Sequence, residues 1–460
     1  MDPVTLSEWR QPAPAVVPVL GMLTAIACLV VRRVRVDRHR RGAQVVDGRS
    51  AQRRAQRLQR RYAAPPLTLA GVAISARDET KHFKLIGTTG TGKSTAIASL
   101  IQGALRRGDR AVIADPDGGY LARFYQRRRG DVILNPFEPD SVKWDPFAEL
   151  GVRWDVDQLA SGLIPTSDDP SGREWRGYAR TFLTAVTRRC HDRGEHDPAE
   201  LWRLLTTASS NELRPILAGT PAQPFVDPEN ARMFGSIRAV AASAVAALEH
   251  LQAQRGQPFS VRKWVRNGRG VLFMPYRASQ IAALRTILAT WLRLAIFEAM
   301  NVQGRDQRLW FVVDELDSLG AIDGLKDALA RLRKFGARCV LGFQSIAQVS
   351  ATYGAGEANT IVENCGNTLI LRSAGSEHGG TSQFASRLIG EREVLRRQTS
   401  RGRDREGWPG GRGSRRSTQV SEQRITELAV MASELEQLPD LTGYLKTASS
   451  GTWLRVSFKP

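Results

Sequence analysis

A glycine-rich stretch at residues 85–95 constrains the fold of this chain more than any other part of its sequence. It reads Leu-Ile-Gly-Thr-Thr-Gly-Thr-Gly-Lys-Ser-Thr and fits the pattern G-x-x-x-x-G-K-[ST], whose backbone N–H groups surround the phosphates of a nucleotide. A mostly apolar run, 83–86, precedes it, and a helix-like segment, 94–105, follows it. A strand, a tight glycine loop and a helix N-terminus form the geometry that phosphate binding requires. The sequence therefore predicts a phosphate-binding loop here.

The loop pattern assigns roles to individual residues. Lys93 is expected to reach the β- and γ-phosphates, and the Ser94 hydroxyl is expected to take a position on Mg²⁺. A chance match in a glycine-containing loop is the alternative, and the agreement of both flanks argues against it. The expected nucleotide-binding residues are Gly87, Thr88, Thr89, Gly90, Thr91, Gly92, Lys93, Ser94 and Thr95.

A second motif supplies the acidic residues that such a site needs. Residues 309–313 form an unbroken apolar run, which predicts a buried strand, and Asp314 and Glu315 follow it directly. Asp314 is expected to hold Mg²⁺, and Glu315 is expected to act as the general base toward the attacking water. Gln344 ends the predicted strand 337–343 and is expected to lie between the two motifs, where it senses the γ-phosphate.

Two further observations bear on the reaction. The chain has no Asn-Lys-x-Asp stretch of the kind that reads guanine, so ATP is favoured over GTP. Hydrolysis also needs positive charge near the transferred phosphate, often from an arginine of a neighbouring subunit. By position the candidates are Arg331, Arg333, Arg338 and Arg372.

Strand-like and helix-like segments alternate on both sides of a long helical stretch. This alternation predicts an α/β fold with a mainly parallel, doubly wound sheet. Residues 152–258 lack strand-like runs and carry helical patterns instead, which predicts an inserted all-α domain. The nucleotide-binding domain is therefore expected in two parts, 67–151 and 259–460.

The chain of 460 residues has a formal net charge of +20, and most of that charge lies in two segments. Residues 32–61 contain twelve arginines against two acidic residues (+10), and residues 396–416 contain eight against two (+6). The rest of the chain therefore sums to +4, which excludes a uniformly basic nucleic-acid coat. The four cysteines are scattered without metal-binding spacing, so no zinc site or disulfide framework is expected.

The N-terminal region is expected to anchor the chain in a membrane. After a short tail, 1–11, residues 12–31 contain no charged side chain and are about as long as a membrane-crossing helix. The arginines that follow place the C-terminal side in the cytoplasm. A basic juxtamembrane linker, 32–66, is expected near anionic lipid head groups, and DNA contact by it stays open. The Arg-, Gly- and Ser-rich segment 396–422 is expected to be a flexible loop, either a connector or a DNA contact.

Together these stretches resemble the type IV secretion coupling proteins of the TraD/TrwB kind, the inner-membrane ATPases of bacterial conjugation. The resemblance covers about 67–444 and goes beyond the two nucleotide-binding motifs. It includes Ala70-Gly71-Val72, His82, Gly108-Asp109-Arg110, Asp115-Pro116-Asp117-Gly118, Asn135-Pro136-Phe137, Glu174-Trp175, Gly342-Phe343-Gln344-Ser345, Leu388-Ile389-Gly390-Glu391 and Leu438-Pro439-Asp440-Leu441.

The resemblance implies a RecA-like P-loop NTPase domain with an inserted all-α domain, assembled as a homohexamer around a channel. It implies DNA-dependent ATP hydrolysis that moves single-stranded DNA, with duplex DNA left open, and coupling of a relaxase–DNA complex to a type IV secretion channel. It singles out Arg333 as the arginine supplied across the subunit interface. Trp175, which by its position alone is expected in the helical core, matches a tryptophan of the family's all-α domain, and this match favours a functional role for it. One membrane helix is evident here, whereas the family usually has two.

Two other functions stay open at this point. One is an FtsK/HerA-like translocase that acts on duplex DNA and shares the same hexameric motor. The other is a membrane docking scaffold whose ATP site only switches its conformation. Strand preference and the need for hydrolysis distinguish these functions from conjugative coupling.

Overall fold

The computed structural model describes residues 37–62, 64–167, 169–252, 254, 256–302, 307–376, 380–405 and 414–459. The predicted tail 1–11 and membrane helix 12–31 lie outside these residues. By compactness, the described residues fall into a smaller unit, 37–44 with 390–429, and a larger unit, 45–389 with 430–459.

The strands and helices follow the alternation that the sequence predicts. The strands are β1 (Arg38–Gly42), β2 (Gln44–Asp47), β3 (Thr68–Leu69), β4 (Val72–Ala73), β5 (Phe83–Ile86), β6 (Arg110–Pro116), β7 (Val132–Ile133), β8 (Lys143–Trp144), β9 (Pro258–Phe259), β10 (Val271–Tyr276), β11 (Leu309–Val313), β12 (Arg338–Phe343), β13 (Asn367–Ile370), β14 (Glu391–Arg405), β15 (Ser414–Leu428), β16 (Thr442–Lys446) and β17 (Thr452–Ser457). The helices are α1 (Arg49–Arg61), α2 (Ala76–Glu79), α3 (Lys93–Arg106), α4 (Gly119–Phe124), α5 (Asp155–Leu163), α6 (Pro170–Asp192), α7 (Pro198–Thr206), α8 (Ser210–Leu217), α9 (Ala231–Val245), α10 (Val261–Asn267), α11 (Ile281–Asn301), α12 (Leu325–Leu332), α13 (Ile346–Tyr353), α14 (Ala355–Asn364), α15 (Gly380–Ile389) and α16 (Ala432–Glu436).

Within the described residues, one sheet has the strand order β2-β17-β16-β13-β5-β12-β11-β6-β10-β7. Every pairing from β13 to β7 is parallel, and β16 and β17 extend the sheet in antiparallel fashion. Because parallel strands end at the same edge, the segments that follow β5, β12, β11 and β6 lie side by side there. The predicted α/β architecture is confirmed, and its carboxyl edge brings the predicted motifs together.

The central strands are apolar because helices cover both faces of a parallel sheet. All five residues of β11 are buried, and the Trp310 ring lies 5.8 Å from the Phe83 ring of β5, centroid to centroid. On one face, α3 buries Ile97, Leu100 and Ile101 in the same core. This packing holds the strand ends, and therefore the site, in a fixed arrangement.

The chain between β8 and β9 forms the inserted helical domain that the sequence predicts, with α5 to α9 as its α-helices. Local chemistry sets where its helices begin. Asp169 accepts a hydrogen bond from the Gly172 N–H at 2.6 Å before α6, and Asp197 caps α7 in the same way. In both helices a proline occupies the first turn, where its missing N–H costs nothing. Acceptor and proline together explain the sharp helix starts.

One helical stretch among the described residues, Pro228–Leu251, is long and apolar enough to cross a membrane by length and composition. It lies within the helical domain, where Phe234 of α9 contacts the Phe182 ring at a centroid distance of 5.2 Å. Core helices of soluble domains pass the same test, so composition alone assigns no span to it.

The segment predicted as a basic linker, 32–66, contains regular structure in its described part. It forms β1, β2 and the helix α1. Ala55 of α1 is buried, and the Gln52 side-chain amide donates to the carbonyls of Ala70 and Ser457 at 2.9 and 2.8 Å. Six of the 13 residues of α1 are arginines, and they lie on the face opposite the small apolar stripe that contains Ala55.

The smaller unit corrects the expectation of a flexible loop at 396–422. Strands β14 and β15 pair antiparallel from Glu391↔Leu428 to Arg405↔Ser414, so the loop prediction is wrong for 396–405 and 414–422. Residues 406–413 lie outside the described part. Cross-strand ion pairs explain how so polar a sequence forms strands, for example Arg397–Glu422 at 2.8 Å.

Candidate nucleotide-binding site

The predicted phosphate loop connects the end of β5 to the start of α3. Gly90 and Gly92 have φ angles of +77° and +108°, in the left-handed region that glycine adopts without steric cost. A Cβ atom on Gly92 would lie 2.6 Å from Cδ2 of Leu441. A residue other than glycine at this position would be strained by the φ angle and would have to displace the Leu441 side chain.

We expect Gly92→Ala to weaken nucleotide binding by at least about tenfold and to destabilise the fold by about 1–3 kcal/mol, because the new methyl group is both strained and clashing. Titration with a fluorescent ATP analogue and urea unfolding measure the two effects. Gly108→Ala is the matched control, since Gly108 has φ +86° with nothing within 4 Å of its added Cβ. That control is expected to cost stability but to leave binding unchanged. Normal binding by Gly92→Ala would contradict the assignment of the loop.

Lys93 is buried within the loop that precedes it. Its Nζ donates to the carbonyl of Gly87 at 2.7 Å and to that of Thr88 at 3.5 Å. Burial lowers the pKa of Lys93, while the carboxylates of Asp314 and Glu315 act in the opposite direction. The ammonium group therefore lies among the loop carbonyls, within the same site as the two acidic residues.

Ser94 and Asp314, predicted from separate motifs, contact each other directly. The Ser94 hydroxyl donates to Asp314 Oδ2 at 2.6 Å. Asp314 is 2 % exposed, and its Oδ1 atom has no hydrogen-bond partner among the described residues. A buried carboxylate oxygen next to a serine hydroxyl fits Mg²⁺ with its water shell, because this ion prefers oxygen ligands and retains several waters.

Gln344 connects the acidic motif to the phosphate loop. Its amide nitrogen donates to Glu315 Oε1 at 2.9 Å, and its amide oxygen accepts from the Thr89 hydroxyl at 2.9 Å. Burial raises the pKa of Glu315; the Gln344 hydrogen bond opposes this, and the charges of Asp314 and Asp317 add to it. A carboxylate with a raised pKa is a stronger proton acceptor, which suits a general base.

The loop and the acidic residues surround one cavity of about 380 Å³. Two residues that line it, Asp440 and Leu441, were not predicted as site residues. Arg372 lies beside them, with its guanidinium 2.7 Å from Asp440 and its carbonyl accepting the Thr88 N–H at 2.9 Å. The stretch 438–441 was part of the family resemblance, which was the one signal that pointed to it. The cavity is lined by Thr88, Thr89, Gly90, Gly92, Lys93, Ser94, Thr95, Asp314, Glu315, Gln344, Asp440 and Leu441. Gly87 and Thr91 are not in this lining: the Gly87 carbonyl accepts from Lys93, and the Thr91 hydroxyl donates to the Thr88 carbonyl at 2.8 Å.

Arg333 does not lie in the cavity of its own chain. It begins the turn Arg333–Phe335 that precedes β12, at the amino edge of the sheet and opposite the phosphate loop. Its side chain is exposed. His82 directly precedes β5 at that same edge. Burial is the main cause that lowers the pKa of His82 to about 4, and the charge of Arg333 acts in the same direction.

Arg338 and Trp175, which the sequence also singles out, lie outside the nucleotide cavity. Arg338 is buried, pairs with Glu79 at 3.3 Å and lies over the Trp310 ring, so it supports the core and is not available to a phosphate. Trp175 is half-buried in a groove of the helical domain beside Val240 and forms an edge contact with Tyr178. It is separate from the nucleotide cavity.

The sheet, the loop and the inserted helices define a RecA-like P-loop NTPase with an inserted helical domain. Within this class of NTPases, the chain matches one family. A model described as the type IV secretion-system coupling protein DNA-binding domain matches residues 66–459. The chain belongs to this family of coupling proteins, which confirms the resemblance seen in the sequence.

Individual relatives agree with the family match. The coupling protein TraD of Escherichia coli strain K12 is 31% identical over 407 residues, which is 85% of this chain and 54% of TraD. The type IV secretion system-coupling protein VirD4 of Bartonella quintana strain Toulouse is 24% identical over 282 residues, 53% of this chain and 43% of VirD4. The structure of plasmid coupling protein TrwB with ADP and Mg²⁺ matches with a TM-score of 0.79 at 30% identity, over 92% of this chain and 94% of that one. The chain spans about half the length of the curated relatives it matches.

Proposed function

We propose that this protein is the ATP-driven motor that couples a relaxase–DNA complex to a type IV secretion channel at the bacterial inner membrane. The observation that carries the proposal is the cavity in which Lys93, Asp314, Glu315 and Gln344 converge, within a chain that matches the coupling-protein family over 66–459. Relatives of this family bear the names of conjugation and secretion proteins.

The loop residues bind the phosphates of ATP, and Ser94 and Asp314 hold Mg²⁺. The complexes of TrwB with ADP and Mg²⁺ and with the ATP analogue ADPNP support this assignment. Lys93, whose Nζ lies 2.7 Å from the Gly87 carbonyl, exchanges that carbonyl for phosphate oxygens. Mg²⁺ supplies neutralisation of the charge on the phosphate oxygens.

Hydrolysis requires that a water be oriented and deprotonated. Glu315 accepts its proton, since burial raises the pKa of this carboxylate. Gln344 holds Glu315 Oε1 on one side and the Thr89 hydroxyl on the other. The same side chain therefore links the position of the base to the conformation of the phosphate loop, which makes it a sensor of the γ-phosphate.

The motor is proposed to act as a homohexamer around DNA. Arg333, exposed at the edge of the sheet opposite the loop, completes the site of a neighbouring subunit. Single-stranded DNA is the proposed cargo, with duplex DNA as the alternative, and phosphate contacts give a grip independent of sequence. The proposed location of the motor is the cytoplasmic face, beside anionic lipids; the predicted span 12–31 and the basic residues after it support this proposal.

Conjugative transfer tests the proposed function in the cell. Deletion of the gene is expected to abolish transfer, wild type to restore it, and Lys93→Ala to leave it at the level of the deletion. Lys81→Ala, which changes a lysine outside the cavity, is the matched control and is expected to complement fully. Transfer by the deletion strain at the wild-type frequency would contradict the proposal.

Two measurements separate the alternatives. DNA-stimulated ATPase activity with duplex DNA but none with single strands would favour the FtsK/HerA-like translocase. Transfer supported by Glu315→Gln, a variant without hydrolysis, would favour a docking scaffold that ATP only switches. The coupling motor is expected to respond to single strands and to require Glu315.

A further inference from the structure

We propose that Tyr120 is a positioning residue for the Mg²⁺ side of the nucleotide site, acting through Asp314. The proposal rests on the proposed nucleotide binding and adds a residue that neither motif contains. Tyr120 lies in helix α4, which follows β6, the strand next to the one that carries Asp314. Its role follows from two hydrogen bonds to a single carboxylate oxygen.

The Tyr120 hydroxyl lies against both residues assigned to the metal. It donates to Asp314 Oδ2 at 2.8 Å and lies 3.4 Å from the Ser94 carbonyl. Its side chain is buried, at 4 % exposure, and its ring stacks on Phe124 with centroids 6.5 Å apart. The hydroxyl is therefore a fixed part of the site and not a mobile surface group.

Two hydroxyl groups hold one oxygen of Asp314. Oδ2 accepts from both Ser94 and Tyr120, whereas Oδ1 is buried without a partner among the described residues. Two donors on one oxygen fix the rotation of the carboxylate. A carboxylate held in this way, together with Ser94, would hold Mg²⁺. Partners of this kind around metal ligands change metal affinity by about 10–100-fold when they are removed.

The turn before α4 explains how Tyr120 reaches this position. Asp117 and Gly118 both have positive φ angles, +58° and +71°, which reverse the chain at the end of β6. The Asp115 carboxylate then accepts the N–H groups of Tyr120 and Leu121 at 3.0 and 2.6 Å. The backbone of Tyr120 is thus tied to the strand, and its hydroxyl points across to the end of β11.

Tyr120→Phe tests the proposal because it removes the hydroxyl and keeps the ring. Binding of a fluorescent non-hydrolysable ATP analogue is titrated with Mg²⁺, and the same analogue is titrated in EDTA. We expect the apparent Mg²⁺ affinity to fall by about tenfold or more, while binding in EDTA stays unchanged. The metal-free titration and the melting temperature without nucleotide report on the fold.

Tyr276→Phe is the matched control. Tyr276 is also buried near the site, but its hydroxyl pairs with Ser318 Oγ at 2.9 Å instead of with Asp314. We expect this variant to keep the wild-type Mg²⁺ dependence.

The other outcomes overturn the proposal in distinguishable ways. An unchanged Mg²⁺ titration for Tyr120→Phe overturns the positioning role and leaves the nucleotide site in place. Equal losses of analogue affinity in Mg²⁺ and in EDTA assign Tyr120 to the fold instead. A lowered melting temperature with a proportionate loss of analogue affinity does the same. Absence of nucleotide binding by wild type removes the proposed function itself.

Discussion

Lys93→Ala is expected to weaken ATP binding by about 10–100-fold, because one charge-assisted hydrogen-bonding group contributes about 1.5–3 kcal/mol. Hydrolysis is expected to fall by a further factor of about 10²–10³, since the ammonium group also stabilises charge that develops on the transferred phosphate. The reason lies in its position: Nζ is buried beside the loop carbonyls and close to Asp314 and Glu315.

Binding and turnover are measured separately. A fluorescent ATP analogue gives the affinity, phosphate release gives the rate, and the rise in melting temperature with added ATP reports binding by linkage. Lys81→Ala is the control, since Lys81 pairs with Asp78 at 2.9 Å outside the cavity. Turnover at the wild-type rate by Lys93→Ala would contradict the assignment of the nucleotide site, even if the fold is as described.

The parts of the site that lie within motifs were predictable, because each motif states a local geometry. The apolar run before Asp314 predicted a strand at 309–313, and β11 occupies Leu309–Val313. Parallel pairing then brings the ends of β5, β11 and β12 to one edge without further information. The fold class and the neighbourhood of Lys93, Asp314 and Gln344 follow from this.

The residues that the sequence did not reveal reach the site from elements distant in the chain. Tyr120 stands after β6, and its contact with Asp314 depends on the order of strands in the sheet. Asp440 lies near the C-terminus and reaches the cavity because β16 pairs beside β13. Neither residue has a type or spacing that marks it in a single sequence.

The Arg-rich segment 396–422 is where the sequence predicted a loop and the structure has strands. Strands β14 and β15 lack the alternation of apolar residues that marks a strand, and ion pairs such as Arg392–Glu427 at 2.8 Å take its place. In α1, by contrast, a small apolar face with Ala55 is buried, and Gln52 fixes the helix through hydrogen bonds to backbone carbonyls. Composition indicates a solvated connector for 396–422, because the contacts that order its strands are polar.

Arg333→Ala is expected to leave ATP binding intact and to lower hydrolysis in the assembled state by about 10³-fold, the lower end of the range for an arginine finger. The position of Arg333 explains why ATP binding and hydrolysis are expected to respond differently. Arg333 is exposed at the amino edge of the sheet, so its loss changes no contact in the cavity of its own chain. Arg331→Ala, an exposed arginine in the last turn of α12, is the matched control and is expected to retain activity.

Mixing the two inactive variants tests whether Arg333 acts across subunits. Arg333→Ala subunits keep an intact base, and Glu315→Gln subunits keep the arginine. Where a Glu315→Gln subunit supplies its arginine to an Arg333→Ala neighbour, a complete site forms and hydrolysis returns. A mixture that stays as inactive as its components, in assemblies shown to contain both, would assign Arg333 to its own chain. Recovery would instead make each catalytic site the joint property of two neighbouring subunits, so that a monomer binds ATP but turns it over only in the ring.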